Sequence, residues 1–168
     1  MKAVLFFLLC FLALFPTLSR GQVPDDIRKH PTCKYCGMNR LHYAHSRMLI
    51  EYDDKSSFGA CSLHCAAIDL GINTDKIPLS IEVADHDTHE LTDAETAYWV
   101  IGGNKPGVMT LTAKWAFRKK KDAESFIMWN GGAAATFDDA LKASFEDMYE
   151  DSKTIRGKCK IRRMHRNM

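Results

Sequence analysis

The sequence lacks the short motifs that mark common enzyme sites. It contains no G-x-S-x-G, no P-loop and no H-E-x-x-H. Its acidic residues form no pair that is recognisable as a general acid and base. The sequence therefore offers no catalytic constellation, and the residues that could bind a ligand become the main guide to function.

The chain also lacks a broad excess of positive charge. Its formal net charge is +2, but the part from Gln22 onward contains 21 basic and 21 acidic residues. The last thirteen residues, RGKCKIRRMHRNM, hold six of the basic residues and no acid, which leaves a net charge of −6 on the rest. Nucleic acid is therefore a poor partner. We expect a solvated, disordered tail over 156–168, with docking to an acidic partner or a membrane surface as the weaker alternative.

No apolar run is long enough to cross a bilayer. After Lys2, thirteen apolar residues run from Ala3 to Phe15, whereas a membrane-spanning helix needs about 20. This pattern predicts a secretory signal peptide over residues 1–21, with cleavage after Ser19 or Gly21, and a soluble periplasmic protein. Cys10 follows Leu9, and a lipid-acceptor cysteine needs a small residue before it, so we expect no lipid anchor.

Cysteines are too few for a disulfide scaffold. Five remain after the predicted signal peptide, and an odd number leaves at least one outside any internal pairing scheme. They are Cys33, Cys36, Cys61, Cys65 and Cys159. Since unpaired thiols in an exported protein tend to oxidise, these cysteines are expected to serve a purpose other than a structural framework.

The order of apolar patterns is repeated along the chain. After a polar lead-in over 22–32, alternation from Leu41 to Tyr52 and the run FGACS predict two strands, SLHCAAIDLG predicts a helix from Ser62 to Gly71, and IPLSIEV predicts a strand. The stretches ETAYWVIGG, TAKWAF, KKKDAESFIMWNGG and AAATF give the same order again. A last amphipathic helix begins after Thr136, a suitable N-cap.

These patterns predict an α+β fold with two related strand-strand-helix-strand units in tandem and a C-terminal helix. The first unit covers residues 22–84, the second 85–137, and the helix 138–155.

The first candidate site is the C-x-x-C-G-M stretch that holds Cys33, Cys36 and Met38. Thiolate and thioether sulfurs are soft donors that favour Cu(I), and Gly37 allows a tight turn that brings them together. A structural disulfide, a redox centre and half a zinc site remain alternatives. A thioredoxin-like centre would open a helix, but Gly37 and a strand-like alternation follow here.

A second candidate site is CSLHC. On a helix, Cys61 and Cys65 share a face, with His64 at its border. The three residues could bind a metal, or the cysteines could be small buried core residues. Met109, after a Pro-Gly turn, is either another soft ligand or a core residue.

The remaining histidines give weaker signals. His86 and His89 in DHDTHE are predicted to be turn residues rather than ligands, and His42 and His45 would point to opposite faces of a strand.

The chain resembles the nitrous-oxide-reductase accessory protein family (NosL), which consists of exported copper-binding proteins. The resemblance rests on CKYCGM, KPGVMT and AKWAFRKKKDAESFIMWNGG, and it extends from about Cys33 to Gly132. It implies an α+β fold of two related units, Cu(I) as the bound ion, and Cys33, Cys36, Gly37 and Met38 as the motif residues, with Met109 as the later family methionine. Many family members are lipoproteins, whereas this sequence shows no lipid-acceptor cysteine.

Together, the residues and the resemblance predict a Cu(I)-binding metallochaperone without catalysis of its own. Its partner would be a copper-receiving client, nitrous oxide reductase or its assembly machinery. Two alternatives stay open, a thiol–disulfide oxidoreductase and a structural zinc-binding interaction module. Membrane association is expected only through partners or the basic tail.

Overall fold

The computed structural model describes residues 22–166. The signal peptide predicted for residues 1–21, with Cys10, lies outside them, as do the last two residues of the predicted tail. Within the described part, no helix is both long and apolar enough to cross a membrane.

The described chain is an α+β fold with two antiparallel sheets and four helices. In chain order the elements are α1 (Asp25–Lys29), β1 (Met48–Tyr52), β2 (Ser57–Ala60), α2 (Leu63–Ile72), β3 (Pro78–Ala84), β4 (Leu91–Asp93), β5 (Tyr98–Ile101), β6 (Lys114–Phe117), α3 (Lys120–Asn130), β7 (Ala133–Ala135) and α4 (Phe137–Arg166).

The predicted repeat is present in the topology. The first sheet has the order β2-β1-β3-β4 and the second the order β6-β5-β7. In each unit the first strand is central and pairs with the strands before and after the helix. Ile50 lies opposite Phe58 and Ile81 in the first sheet, and Val100 lies opposite Trp115 and Ala134 in the second. The short strand β4 extends only the first sheet.

One core joins the two units. It includes Met48 and Ile50 from the first sheet and Trp99 and Phe117 from the second, all almost fully buried. The long helix α4 packs against α2 and β5. Its Asp147 carboxylate accepts a hydrogen bond of 2.6 Å from the Lys114 ammonium on β6. Both units therefore contact the same helix, α4.

Several local predictions need correction. The segment from Leu41 to Tyr43 is a turn, because the Asn39 carboxamide accepts the Leu41 and His42 amides at 2.9 and 3.0 Å. Helix α2 passes Gly71 and ends at Ile72, with Asn73 as its C-cap. The polar lead-in contains α1, and β4 was not predicted.

The last helix begins where the sequence predicts but is longer. The Thr136 hydroxyl accepts the Asp139 amide at 3.2 Å, and the Asp139 carboxylate accepts the Thr136 amide at 3.0 Å, as in a capping box. The helix continues to Arg166, so the predicted disordered tail is helical over its described part. Lysine and arginine are good helix formers, and their charge is favourable at a helix C-terminus.

Candidate metal centre

The C-x-x-C stretch forms a closed turn. The Gly37 amide donates to the Cys33 carbonyl at 2.8 Å, and the Cys33 amide donates to the Met38 carbonyl at 2.9 Å. Gly37 has φ of +74°, a conformation that glycine adopts without steric cost. An isolated bridge residue, Asn39, and a further turn follow, with no helix, so neither cysteine of this turn lies at a helix N-terminus.

The second cysteine pair lies where β2 passes into α2. Cys61 directly follows the strand, and Cys65 is one helical turn further on. Their Sγ atoms are 3.8 Å apart. The backbone at Cys61 is held by the Ser46 hydroxyl, which donates to its carbonyl at 2.8 Å. Ser62 occupies the N-cap position as predicted, although its side chain makes no capping hydrogen bond.

The fold brings the two pairs together into one four-sulfur group. The Sγ atoms of Cys33, Cys36, Cys61 and Cys65 all lie within 4.8 Å of one another. The Sγ atoms of Cys36 and Cys61 are 3.3 Å apart. Cys36 is half-buried and the other three are buried. Sulfurs that share one tetrahedral ion at a metal–sulfur distance of about 2.3 Å are about 3.8 Å apart, so the group could hold a metal ion after small shifts.

Hydrogen bonds among three of the thiols move their pKa values in opposite directions. Hydrogen bonds from Cys61 and then Cys65 lower the pKa of Cys33. The same hydrogen bonds to Cys33 are the main reason why the pKa values of Cys61 and Cys65 are raised. These shifts favour the thiolate at Cys33 and the protonated thiols at Cys61 and Cys65. Metal binding at this group must release protons.

A buried hydrogen-bond network holds the C-x-x-C turn against α2. Tyr35, between the two cysteines of the turn, donates its hydroxyl to the Asp69 carboxylate at 2.7 Å. Tyr52 on β1 donates to the other oxygen of the same carboxylate. Burial and the Asp69 hydrogen bond raise the pKa of both tyrosines, so both remain donors. Because α2 also carries Cys65, this network fixes the turn relative to the second cysteine pair.

Three further predicted ligands are His64, Met38 and Met109, of which His64 is not part of the four-cysteine group. His64 is partly buried and lines a shallow pocket with Val108, Thr110 and Lys114, and burial lowers its pKa. Met38 is partly buried and packs against the core. Met109 is 36 % exposed with φ of +65°, in a loop rather than in the core. Ligand roles for these three residues stay predictions.

Comparisons with known proteins agree with this architecture. The family model named NosL matches residues 24–145. The crystal structure of the copper chaperone NosL from Shewanella denitrificans superposes with a TM-score of 0.53 at 23% sequence identity, covering 70% of this chain and 93% of that chain. At this identity the superposition shows a shared fold. A search of curated proteins finds no match. Since the family match spans most of the chain, this protein belongs to the NosL family.

Proposed function

We propose that this protein is an exported Cu(I) carrier, without catalysis of its own, that delivers copper to a client enzyme. The convergence of four cysteine sulfurs at one point carries the proposal, because an all-sulfur donor set suits Cu(I). Family membership and the copper chaperone of the same fold support it. The client that we propose is nitrous oxide reductase during assembly of its copper cluster, and the compartment is the periplasm.

The exposure of the donors fits a carrier. Three of the sulfurs are buried, which protects the cargo, whereas Cys36 is only half-buried. An incoming ligand from the client could therefore replace Cys36 first. Met38 follows Cys36 by two residues and is partly buried, and we propose its thioether, with that of Met109, as additional soft donors.

A structural zinc module is the second candidate function. Four cysteine thiolates are also the donor set of closed structural zinc sites, and the sulfur separations fit that geometry equally well. The choice of metal therefore separates the two candidates.

We expect the reduced protein to retain Cu(I) in the presence of a tenfold excess of Zn(II). An anaerobic titration with a chromogenic Cu(I) chelator as competitor, followed by metal analysis, measures this preference. Zn(II) that stays bound against Cu(I) would support the zinc module instead.

Incubating the Cu(I)-loaded protein with copper-free nitrous oxide reductase tests the client. A client that stays copper-free would remove this partner but not the carrier function.

Met38→Leu is expected to weaken Cu(I) binding by about tenfold, or about 1.4 kcal/mol, without unfolding the protein. Leucine keeps the volume and apolar character of methionine, so the partly buried packing is retained and only the thioether is lost. The chelator competition gives the affinity, and thermal unfolding gives the stability. Met128→Leu is the matched control, because Met128 is 71% exposed on α3. Wild-type affinity in Met38→Leu would show that Met38 serves packing alone.

A further inference from the structure

Three histidines from two separate loops meet in a cleft apart from the cysteines. The cleft has a volume of about 340 Å³ and is lined by His45, His86, His89, Lys105, Pro106 and Trp115. The ring centre of His45 is 6.1 Å from that of His86 and 6.2 Å from that of His89. We propose that these three imidazoles form a second metal site, for a divalent ion such as Zn(II) or Cu(II). This site goes beyond the proposed Cu(I) carrier function.

The ring separations are slightly larger than those of imidazoles that share one ion. With metal–nitrogen distances of about 2.1 Å, two imidazoles on one ion have ring centres roughly 5–6 Å apart. The three rings do not yet converge as the cysteines do, since only the four cysteines, among the described residues, have ligand atoms within 4.8 Å of one another. His89 is exposed, so rotation of its side chain can bring its nitrogen to the ion.

A hydrogen bond of the His86 ring leaves its other ring nitrogen able to bind a metal. Nδ1 of His86 lies 2.7 Å from the Asp87 carboxylate, which can only accept, so Nδ1 carries the proton of the neutral ring. The Nε2 atom is then unprotonated and free to bind a metal. A carboxylate that holds a histidine in this way is the usual support of a metal-ligating imidazole. Among the side chains that the structure describes, none forms a hydrogen bond with the ring nitrogens of His45 or His89.

The loop that carries His86 and His89 is rigid. The Asp85 carboxylate accepts the Thr88 amide and hydroxyl at 2.8 and 2.9 Å, and its other oxygen accepts the Arg118 amide of the second unit at 2.7 Å. The His89 carbonyl accepts the Arg47 guanidinium at 2.6 Å. His89 has φ of +62°, a left-handed conformation that histidine, asparagine and aspartate adopt more often than other non-glycine residues. These contacts hold the backbone of the loop in place, and with it the positions from which the His86 and His89 side chains extend.

The chemistry of the donors favours a borderline metal over an anion. Imidazole nitrogen suits Zn(II), Cu(II) and Ni(II), whereas the cysteine group suits softer ions. Burial, and then the charges of His86 and His89, lower the pKa of His45, so its ring is neutral and available to a metal at pH 7. Lys105 and the unpaired buried indole N–H of Trp115 are the features of the cleft that would favour an anion instead.

The test compares Zn(II) binding by the reduced wild type and by a His86→Gln/His89→Asn variant. The wild type is expected to bind one Zn(II) more, whether or not the cysteines also take zinc. This difference keeps the second site separate from the Cu(I) proposal. Zinc is also expected to shift the imidazole ¹⁵N signals of His45, His86 and His89 together. Equal zinc stoichiometry, or shifts produced only by inorganic phosphate, would overturn the proposal.

Two single variants test the site without relying on the double variant, which could misfold. Asparagine tolerates positive φ, so His89→Asn should fold normally and lower the Zn(II) affinity of this site by about 100-fold. His42→Gln is the matched control, because His42 is exposed beside Tyr43 and outside the cleft. If His42→Gln weakens binding as much as His89→Asn does, the ion is not held by the proposed three rings.

Discussion

Cys36→Ser and Cys61→Ser are each expected to lower the affinity for Cu(I) by about 1,000-fold or more, equivalent to about 4 kcal/mol. Each change removes one thiolate from the four-sulfur group, in which the Sγ atoms of Cys36 and Cys61 are 3.3 Å apart. A serine hydroxyl is a hard donor that stays protonated at neutral pH and cannot replace a thiolate. Chelator competition under anaerobic conditions gives both affinities.

The two variants test different parts of the site. Cys36 belongs to the C-x-x-C turn, whereas Cys61 precedes α2, so a loss in Cys61→Ser specifically supports the joined four-sulfur group. Cys159→Ser is the matched control, because Cys159 is exposed on α4, outside that group. A large loss in Cys36→Ser with none in Cys61→Ser would restrict the site to the turn. Wild-type binding in both variants would contradict the carrier proposal.

Asp26→Asn is expected to reduce the free energy of unfolding by about 3–5 kcal/mol. Asp26 on α1 lies between two buried guanidiniums, with hydrogen bonds of 2.8 Å from both Arg40 and Arg47. The side chains of these arginines are only 0% and 2% exposed. Without the carboxylate, two buried positive charges would lose their shared counter-ion. Urea unfolding of the variant and the wild type measures the loss.

The neighbouring residue provides a control for Asp26. Asp25 also pairs with an arginine, Arg28, but its side chain is 90% exposed. Since exposed ion pairs contribute at most about 1 kcal/mol, Asp25→Asn should change stability little. If Asp26→Asn and Asp25→Asn have similar free energies of unfolding, the buried ion pairs of Asp26 with Arg40 and Arg47 do not stabilise the fold.

The Asp26 contribution should also depend on pH. Burial alone would raise the pKa of Asp26, but hydrogen bonds and charge from Arg47 and Arg40 outweigh burial and lower it below its ordinary value of 3.8. A carboxylate with a lowered folded-state pKa contributes its full stability above the unfolded value. We expect this contribution to be lost as the pH falls below 3.8 through the folded-state pKa, and to be absent in Asp26→Asn.

The buried ion pairs of Asp26 with Arg40 and Arg47 show why helix α1 was not predicted from the sequence. Helix α1 has five residues and no side-chain N-cap, so it gives no periodic signal. It is held mainly by Arg40, whose guanidinium also donates to the Ala60 and Met48 carbonyls at 3.0 and 2.9 Å. Gly59 leaves room for this group, since an added Cβ would lie 2.7 Å from Arg40 Cζ.

The sequence by itself determined the order of most elements and showed which sulfur side chains are available to a metal. Alternating and helical periodicities are local properties of the backbone, so they predicted the repeated strand-strand-helix-strand order. The side-chain chemistry of Cys33 and Cys36 is likewise independent of the fold, so their sulfurs could be identified as soft donors from the sequence, whereas the ligand role of Met38 stays a prediction.

Only the tertiary structure decided which of these residues meet. Cys36 and Cys61 are 25 positions apart, and no local pattern joins them, because their contact depends on how β2 and α2 pack against the C-x-x-C turn. The same holds for His45, which was predicted on a strand but lies in a turn, and for His86, which was predicted in a turn. Their rings meet because the β3–β4 loop packs against β6, where the His86 amide donates to the Ala116 carbonyl at 2.9 Å. Contacts of this kind are set by long-range packing and buried charge, which periodicity and motif spacing do not encode.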